Sequence, residues 1–241
     1  MYVMKTFKFP NKIVMATSAA IFTLLITAIL STANAQSSET RQVSGFRKID
    51  VGGAYTVTLT QGKTESVTVS GDADILSKIV TVVESGTLKI KSKGEWNSKS
   101  AVRVDITFIE IDEVDCSGSV NLTTTAPVKL NKFELGTSGA AKTELDITTG
   151  SLEVSISGSG STTLKGTAGK VELDISGAGK YSASELASDS YEVNISGVGN
   201  AEVWVSGTLD VSVSGAGVVR YKGDPKVNQS ISGSGKVARM N

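Results

Sequence analysis

The chain has 241 residues with 24 basic and 24 acidic side chains, no histidine and a single cysteine. The first 35 residues contribute Lys5, Lys8 and Lys12 and no acid, so residues 36–241 hold 21 basic against 24 acidic groups, a net charge of −3. A mildly acidic body without a basic stretch lacks the electrostatic footprint of a nucleic-acid binder. The absent histidines remove imidazole acid–base catalysis and most zinc geometries, and Cys116 alone forms no intramolecular disulfide.

Taken from the N-terminus, the three lysines precede an apolar run, Ile13 to Leu30, and Ala33-Asn34-Ala35 places small residues where a signal peptidase reads. Residues 1–35 are therefore expected to be a signal peptide cleaved after Ala35, leaving no stable membrane span. The 18 residues of the run are close to the minimum for a spanning helix, but Thr17, Ser18, Thr23 and Thr27 weaken that alternative. No cysteine follows the small residues, so a lipid anchor is not indicated. The expected location is the periplasm, the outer membrane or the cell surface. Residues 36–44 are polar and nonperiodic and predict a disordered lead-in.

From Phe46 the pattern alternates, with Ile49, Val51, Tyr55, Val57 and Leu59 on one parity and Asp50, Thr56, Thr58 and Thr60 on the other, which predicts strand. Gln61-Gly62-Lys63 reads as the turn of a hairpin into a second strand at 66–70. Ile75, Leu76 and Ile79 recur at helical spacing behind a capping Asp72, predicting one or two helical turns. Strands at 80–84 and 87–91 flank a Ser85-Gly86 turn; a polar loop around Trp96 precedes an alternating strand from Val102 to Phe108. Residues 45–108 are read as an N-terminal β portion that caps one end of a repeating region.

Residues 109–241 repeat. The stretch Val171-Glu-Leu-Asp-Ile-Ser-Gly-Ala-Gly179 has relatives starting at Leu152, Tyr191, Leu209 and Val227. The glycines Gly118, Gly139, Gly158, Gly177, Gly197, Gly215 and Gly233 mark seven turns of 18–21 residues. A period near 20 residues with period-2 alternation inside it predicts an all-β, parallel β-solenoid, continuous with the N-terminal portion as one domain over 45–241. Parity puts Val171, Leu173 and Ile175 inside and Glu172, Asp174 and Ser176 outside. Aliphatic residues then stack in columns such as Ile156, Ile175, Ile195, Val213 and Ile231, with the glycines at a corner.

The sequence resembles a known family, the auto-transporter adhesins with a head GIN domain, exported proteins frequent in the Bacteroidetes. The resemblance rests on the opening from Phe46 to Gly62, the segment from Asp72 to Ile79, the strand Gly86 to Ile90 and the serial Ser-Gly-x-Gly turns; it covers residues 45–237. It implies a right-handed β-helix and secretion, and it brings no established catalytic residues. Two turns depart from the pattern, with Val120 and Ala141 in place of the second glycine.

Three outward features carry candidate chemistry. Five residues before each register glycine stand Glu113, Glu134, Glu153, Glu172, Glu192, Asp210 and Asn228, a column of carboxylates that a weakly bound calcium ion could neutralise or that forms a solvated acidic face. The ladder Ser157, Ser176, Ser196, Ser214 and Ser232 lacks a general base and is expected to hydrogen-bond between turns or to the glycine corner. Trp204 sits either on the outer parity, able to stack on a sugar ring, or in the core if parity flips at the corner; Trp96 is the second exposed candidate. Lys180, Arg220 and Lys222 could lie near the acid column, as in β-helix enzymes that act on acidic polysaccharides, although no insertion builds a cleft.

The expected function is a non-enzymatic interaction protein of the bacterial envelope or surface, such as an adhesin. A carbohydrate-binding or polysaccharide-acting β-helix protein and a purely structural envelope protein are the alternatives. No cofactor is expected beyond the calcium possibility; the partner would be an envelope or surface protein or a glycan, with oligomerisation open.

Overall fold

A strand that buries alternate side chains still leaves a main-chain edge on either side, and a chain that repeats at constant spacing can satisfy both edges by laying each turn on the last. The computed structural model describes residues 37–94 and 102–240 and has this arrangement; the expected signal segment and Trp96 lie outside the described residues. Its elements are β1 (Ser37–Arg41), β2 (Lys48–Gly53), β3 (Tyr55–Gln61), β4 (Ser66–Gly71), α1 (Ala73–Leu76), β5 (Ile79–Glu84), β6 (Thr87–Ser92), β7 (Val102–Phe108), β8 (Glu113–Gly118) and β9 (Asn121–Thr124). They continue with β10 (Val128–Lys129), β11 (Lys132–Gly139), β12 (Lys142–Gly158), β13 (Ser161–Gly177), β14 (Lys180–Gly197), β15 (Asn200–Gly215), β16 (Val218–Lys222), β17 (Lys226–Gly233) and β18 (Lys236–Arg239).

Two parallel ladders run the length of the stack. The first joins β6, β2, β8, β11, the C-terminal parts of β12 to β15, and β17. The second joins β7, β3, β9, the N-terminal parts of β12 to β15, then β16 and β18. The seven glycine-marked turns stack in register, Gly118 on Gly139 and so on to Gly233.

The N-terminal portion differs from its sequence reading in three ways. Strands β2 and β3 are themselves a turn of the solenoid, with Gly53 in register with Gly118, and β6 and β7 form another on their far side. The chain lays down β2–β3, leaves through β4, α1 and β5, returns as β6–β7 and then crosses to build β8–β9 on the opposite face of β2–β3. Sequence order is not stacking order here, so the local period could not show that the stack begins before residue 109. Second, β3 and β4 do not form the expected hairpin: β7 lies between them, parallel to β3 and antiparallel to β4. Third, the lead-in expected to be disordered contains β1, which pairs antiparallel with β4. Its polar side chains are no obstacle, because the free edge of β4 recruits main-chain groups. Arg41 adds donors to the carbonyls of Ile79 at 2.6 Å and Leu76 at 2.9 Å.

The end of the stack is therefore closed by antiparallel strands, β4 on β7 and β5 on β6. The single-turn helix α1 connects them. Its turn is closed by the Asp72 carbonyl, which accepts from Ile75 and Leu76, while Ile75 and Leu76 bury their side chains. The β5–β6 hairpin turns at Ser85 and Gly86 with φ of 50° and 78°, the left-handed pair that a two-residue hairpin loop favours.

Inside the turns the core is one continuous aliphatic cluster. Its largest polar intrusion is Tyr181 and Tyr191, both essentially inaccessible, edge-to-face at 6.5 Å with their hydroxyls 3.0 Å apart. Burial pushes both phenols well above their ordinary range. Each hydroxyl is satisfied by the other, so removing one strands its partner. Tyr191→Phe is expected to lower unfolding free energy by about 1–3 kcal/mol, whereas the double variant Tyr181→Phe/Tyr191→Phe is expected to recover most of that loss, measured by urea denaturation. Additive losses in the double variant would rule out this mutual dependence.

Candidate functional site

Alternation decides which residues meet solvent on the first ladder, and register decides that they meet each other. Three outward columns result. The acid column holds in full: Glu113, Glu134, Glu153, Glu172, Glu192 and Asp210 are Cα partners in succession, bounded by Lys48 at one end and Asn228 at the other. Two residues further on is a column from Asp50 and Asp115 through Gly136, Ser155, Asp174, Asn194 and Ser212 to Ser230. The serine ladder is the third.

The acid column spreads its charge along the stack. Lysines temper it: Lys48 pairs with Glu113, Lys132 with Glu134, and Lys170 approaches Glu172 at 4.0 Å. Asn228 donates to Asp210 at 2.7 Å. Among the described residues no group of three or more His, Cys, Asp or Glu side chains gathers as a metal cage would require.

Between the second and third columns runs a groove of about 820 Å³, from Asp115 at one end to Ser230 and Ser232 at the other. Its walls are short, chiefly serines, and its floor is the outer main chain of the inward-pointing column that includes Ile156, Ile175 and Ile195. The serines do not form the expected inter-turn hydrogen bonds: among the described residues, the hydroxyls of Ser157, Ser176, Ser196, Ser214 and Ser232 have no side-chain partner. Spacing alone does not forbid such bonds, since the stacked hydroxyls of Thr60 and Thr125 lie 3.0 Å apart in neighbouring turns. Hydroxyls do reach main-chain carbonyls of a neighbouring turn at another corner, where Thr149 donates to the carbonyl of Asn131, Ser188 to that of Trp204 at 2.9 Å and Ser206 to that of Ser188 at 3.1 Å.

Asp115 closes the groove at the N-terminal side. Gly136, its neighbour in the next turn, leaves the space that the Asp115 carboxylate occupies; a Cβ there would collide with Oδ1. Packing against the stack, then a hydrogen bond with Glu113 and the charges of Glu113 and Asp50, push Asp115 up to about 6. Glu113 moves the other way, lowered chiefly by its hydrogen bond with Lys48. Cys116, immediately beneath, is buried and its thiol is pushed up to about 12, chiefly by desolvation. Gly136 is visible in the sequence only as a missing side chain, and its role needed the register to be read.

The remaining candidates lie on the second ladder. Trp204 keeps its outward parity, between buried Val203 and Val205, so it is not a core residue. It is half-buried because the Lys222 ammonium covers its ring at 3.9 Å from the centroid. Lys180, Arg220 and Lys222 also belong to this ladder rather than to the acid column, and Arg220 faces Glu202 at 3.8 Å. A corner of the chain separates them from the column, which parity alone could not reveal. A smaller cavity of about 530 Å³ on this side is lined by Thr123, Glu144, Asp146, Lys165 and Glu185 among others.

Fold and surface together define a parallel β-solenoid with glycine corners and continuous polar columns, one of which borders an open groove. The chain belongs to the family described as "Putative auto-transporter adhesin, head GIN domain", whose model matches residues 45–225. Solved structures share the fold. A "putative adhesin" from Bacteroides fragilis is 21% identical with a TM-score of 0.77, covering 85% of this chain and 97% of its own. A "putative lipid binding protein" from Parabacteroides distasonis is 24% identical with a TM-score of 0.70, covering 86% and 97%. A "putative adhesin" from Parabacteroides distasonis is 25% identical with a TM-score of 0.66, covering 85% and 97%. No curated protein matches the chain.

The raised pKa of Asp115 sets the sign of a pH effect. The folded chain keeps the proton up to about 6 while the unfolded chain releases it near 3.8, so stability from this group falls as pH rises through that window and then levels off. Asp115→Asn is expected to melt above the wild type at pH 8 and to lose that advantage by pH 4, as followed by circular dichroism. Asp115 is exposed, so the effect is a few degrees rather than a collapse. A variant that gains at pH 4 instead would reverse the assignment.

Proposed function

We propose that this chain is an exported, non-enzymatic binding protein of the bacterial envelope or surface, and that the serine groove takes an extended, uncharged, hydroxyl-rich polymer, a neutral glycan strand, laid along the stack. The observation that carries this reading is the row of unpartnered hydroxyls at every turn from Ser157 to Ser232. Such a row offers the same donor and acceptor about every 4.8 Å, which suits a repeating ligand better than a compact one. The neighbouring acid column disfavours polyanions. Export is supported by the N-terminal pattern and by membership of an adhesin family.

Catalysis finds little support in the groove. Asp115 and Asp174 are three turns apart, about 14 Å, beyond the separation at which paired carboxylates act on a glycosidic bond. A lipid ligand, suggested by the description of one structural neighbour, is less well supported: the exposed large hydrophobics Ile109, Val198 and Ile231 do not line the groove.

Isothermal titration against a panel of neutral polysaccharides tests the proposal. Binding is expected for at least one, with Ser176→Arg/Ser196→Arg weakening it by about tenfold or more while the far-ultraviolet spectrum is unchanged. The polymer should elute at its original size after incubation. Equal affinity in the filled-groove variant would exclude the groove, and a shortened polymer would overturn the non-enzymatic reading.

A further inference from the structure

The two ends of the stack are finished differently. Antiparallel strands close both ladders beside β6 and β7, whereas β17 and β18 are the last strands at the other end. Among the described residues nothing pairs with their outer edges. The side chains there are unusual for a terminus. A column of eight buried aliphatic residues running from Leu88 to Val211 ends at exposed Gln229, between partly buried Val227 and Ile231, which is 38% exposed.

The hydrogen-bond phase specifies what could sit on this edge. Glu134 N donates to Asp112 O, and Ser234 N donates to Gly215 O, each toward the preceding turn. The same alternation along β17 turns the even-numbered residues toward β15 and leaves the N–H and C=O groups of Val227, Gln229 and Ile231 on the open edge. These three also point their side chains inward. An occupant must therefore present matching edge groups and inward side chains that continue the core.

We propose that the occupant is β17 of a second copy, joined tail to tail about a two-fold axis through Gln229. In that register Gln229 faces Gln229 of the second copy, each amide donating and accepting, and Val227 faces Ile231 on either side. Outward, Lys226 meets Ser232 and Asn228 meets Ser230, so no like charges oppose one another. A two-fold axis closes the contact on itself, which makes the assembly a dimer rather than a fibre. A turn of 18 residues has a perimeter of about 60 Å and encloses at most about 280 Å² of main-chain cross-section, below the size of a standard interface, so association is expected to be weak and concentration-dependent. The groove reaches Ser230 and Ser232 and would run on across the axis into the second copy; that consequence rests on the function proposed above, whereas the dimer does not.

A cysteine on the axis tests the geometry. Directly opposed hydrogen-bonded residues of antiparallel strands have Cα atoms about 5.5 Å apart, a separation a disulfide spans. Gln229→Cys is expected to yield a covalent dimer on treatment with diamide, while Ala178→Cys, at an exposed corner, stays monomeric; buried Cys116 adds no background. Sedimentation velocity of the wild type is expected to show a monomer–dimer equilibrium that Ile231→Lys abolishes. A wild type that remains monomeric up to about 100 μM, or Ala178→Cys crosslinking as fast as Gln229→Cys, would overturn the proposal. Glycan binding does not enter any of these readouts, so failure of the groove reading leaves the dimer test intact.

Discussion

The constraint on which the rest of this structure depends is the close stacking of main chain at the corner where each turn ends. At Gly177, φ is 117°, and a Cβ would stand 2.7 Å from the carbonyl oxygen of Gly158 below it. Two separate demands therefore meet in one residue: a backbone conformation that other residues adopt at a cost, and an approach that no side chain permits. The same corner supplies an inter-turn bond, Ala178 N to Gly158 O at 2.9 Å, so the corner is also where one turn is registered on the next. Once this contact repeats, the ladders, the columns and the groove are its geometric consequences.

Volume inside the corner is balanced residue by residue. The second glycine of the motif points inward, and at Gly179 a Cβ would press on the Cγ2 of Ile156 at 2.6 Å. The two early turns that carry Val120 and Ala141 at this slot have Cys116 and Thr137, rather than isoleucine, at the preceding core position; all four are buried. A larger residue at one position accompanies a smaller one at the other, as close packing demands. What looks in the sequence like a degraded motif is the same cross-section filled in another way.

The outer surface behaves differently because nothing packs against it. Parity and period placed Glu153, Glu172, Glu192 and Asp210 in one column from the sequence, and the register agrees residue for residue. The behaviour of the serine ladder was not legible in the same way. Stacked hydroxyls look ready to bond to each other, as those of Thr60 and Thr125 do, yet those of the serine ladder find no partner and stay available to a ligand. Trp204 was ambiguous because parity could have flipped at the glycine corner; the structure keeps it outward, and Lys222 from the next turn covers its ring.

The sequence by itself determined the repeat, the inward and outward faces, the corner glycines and the acid column, because each arises from a local period that a strand converts directly into position. Only the tertiary structure decided where the stack begins. The β2–β3 turn is flanked in space by β6–β7 and β8–β9, a topology that leaves no trace in spacing, and β1 is held by an edge of β4 that exists only once the sheet has formed. The groove belongs to the same class of feature. It is made of small side chains and exposed main chain from many turns, and such a surface comes into being only when those turns are stacked.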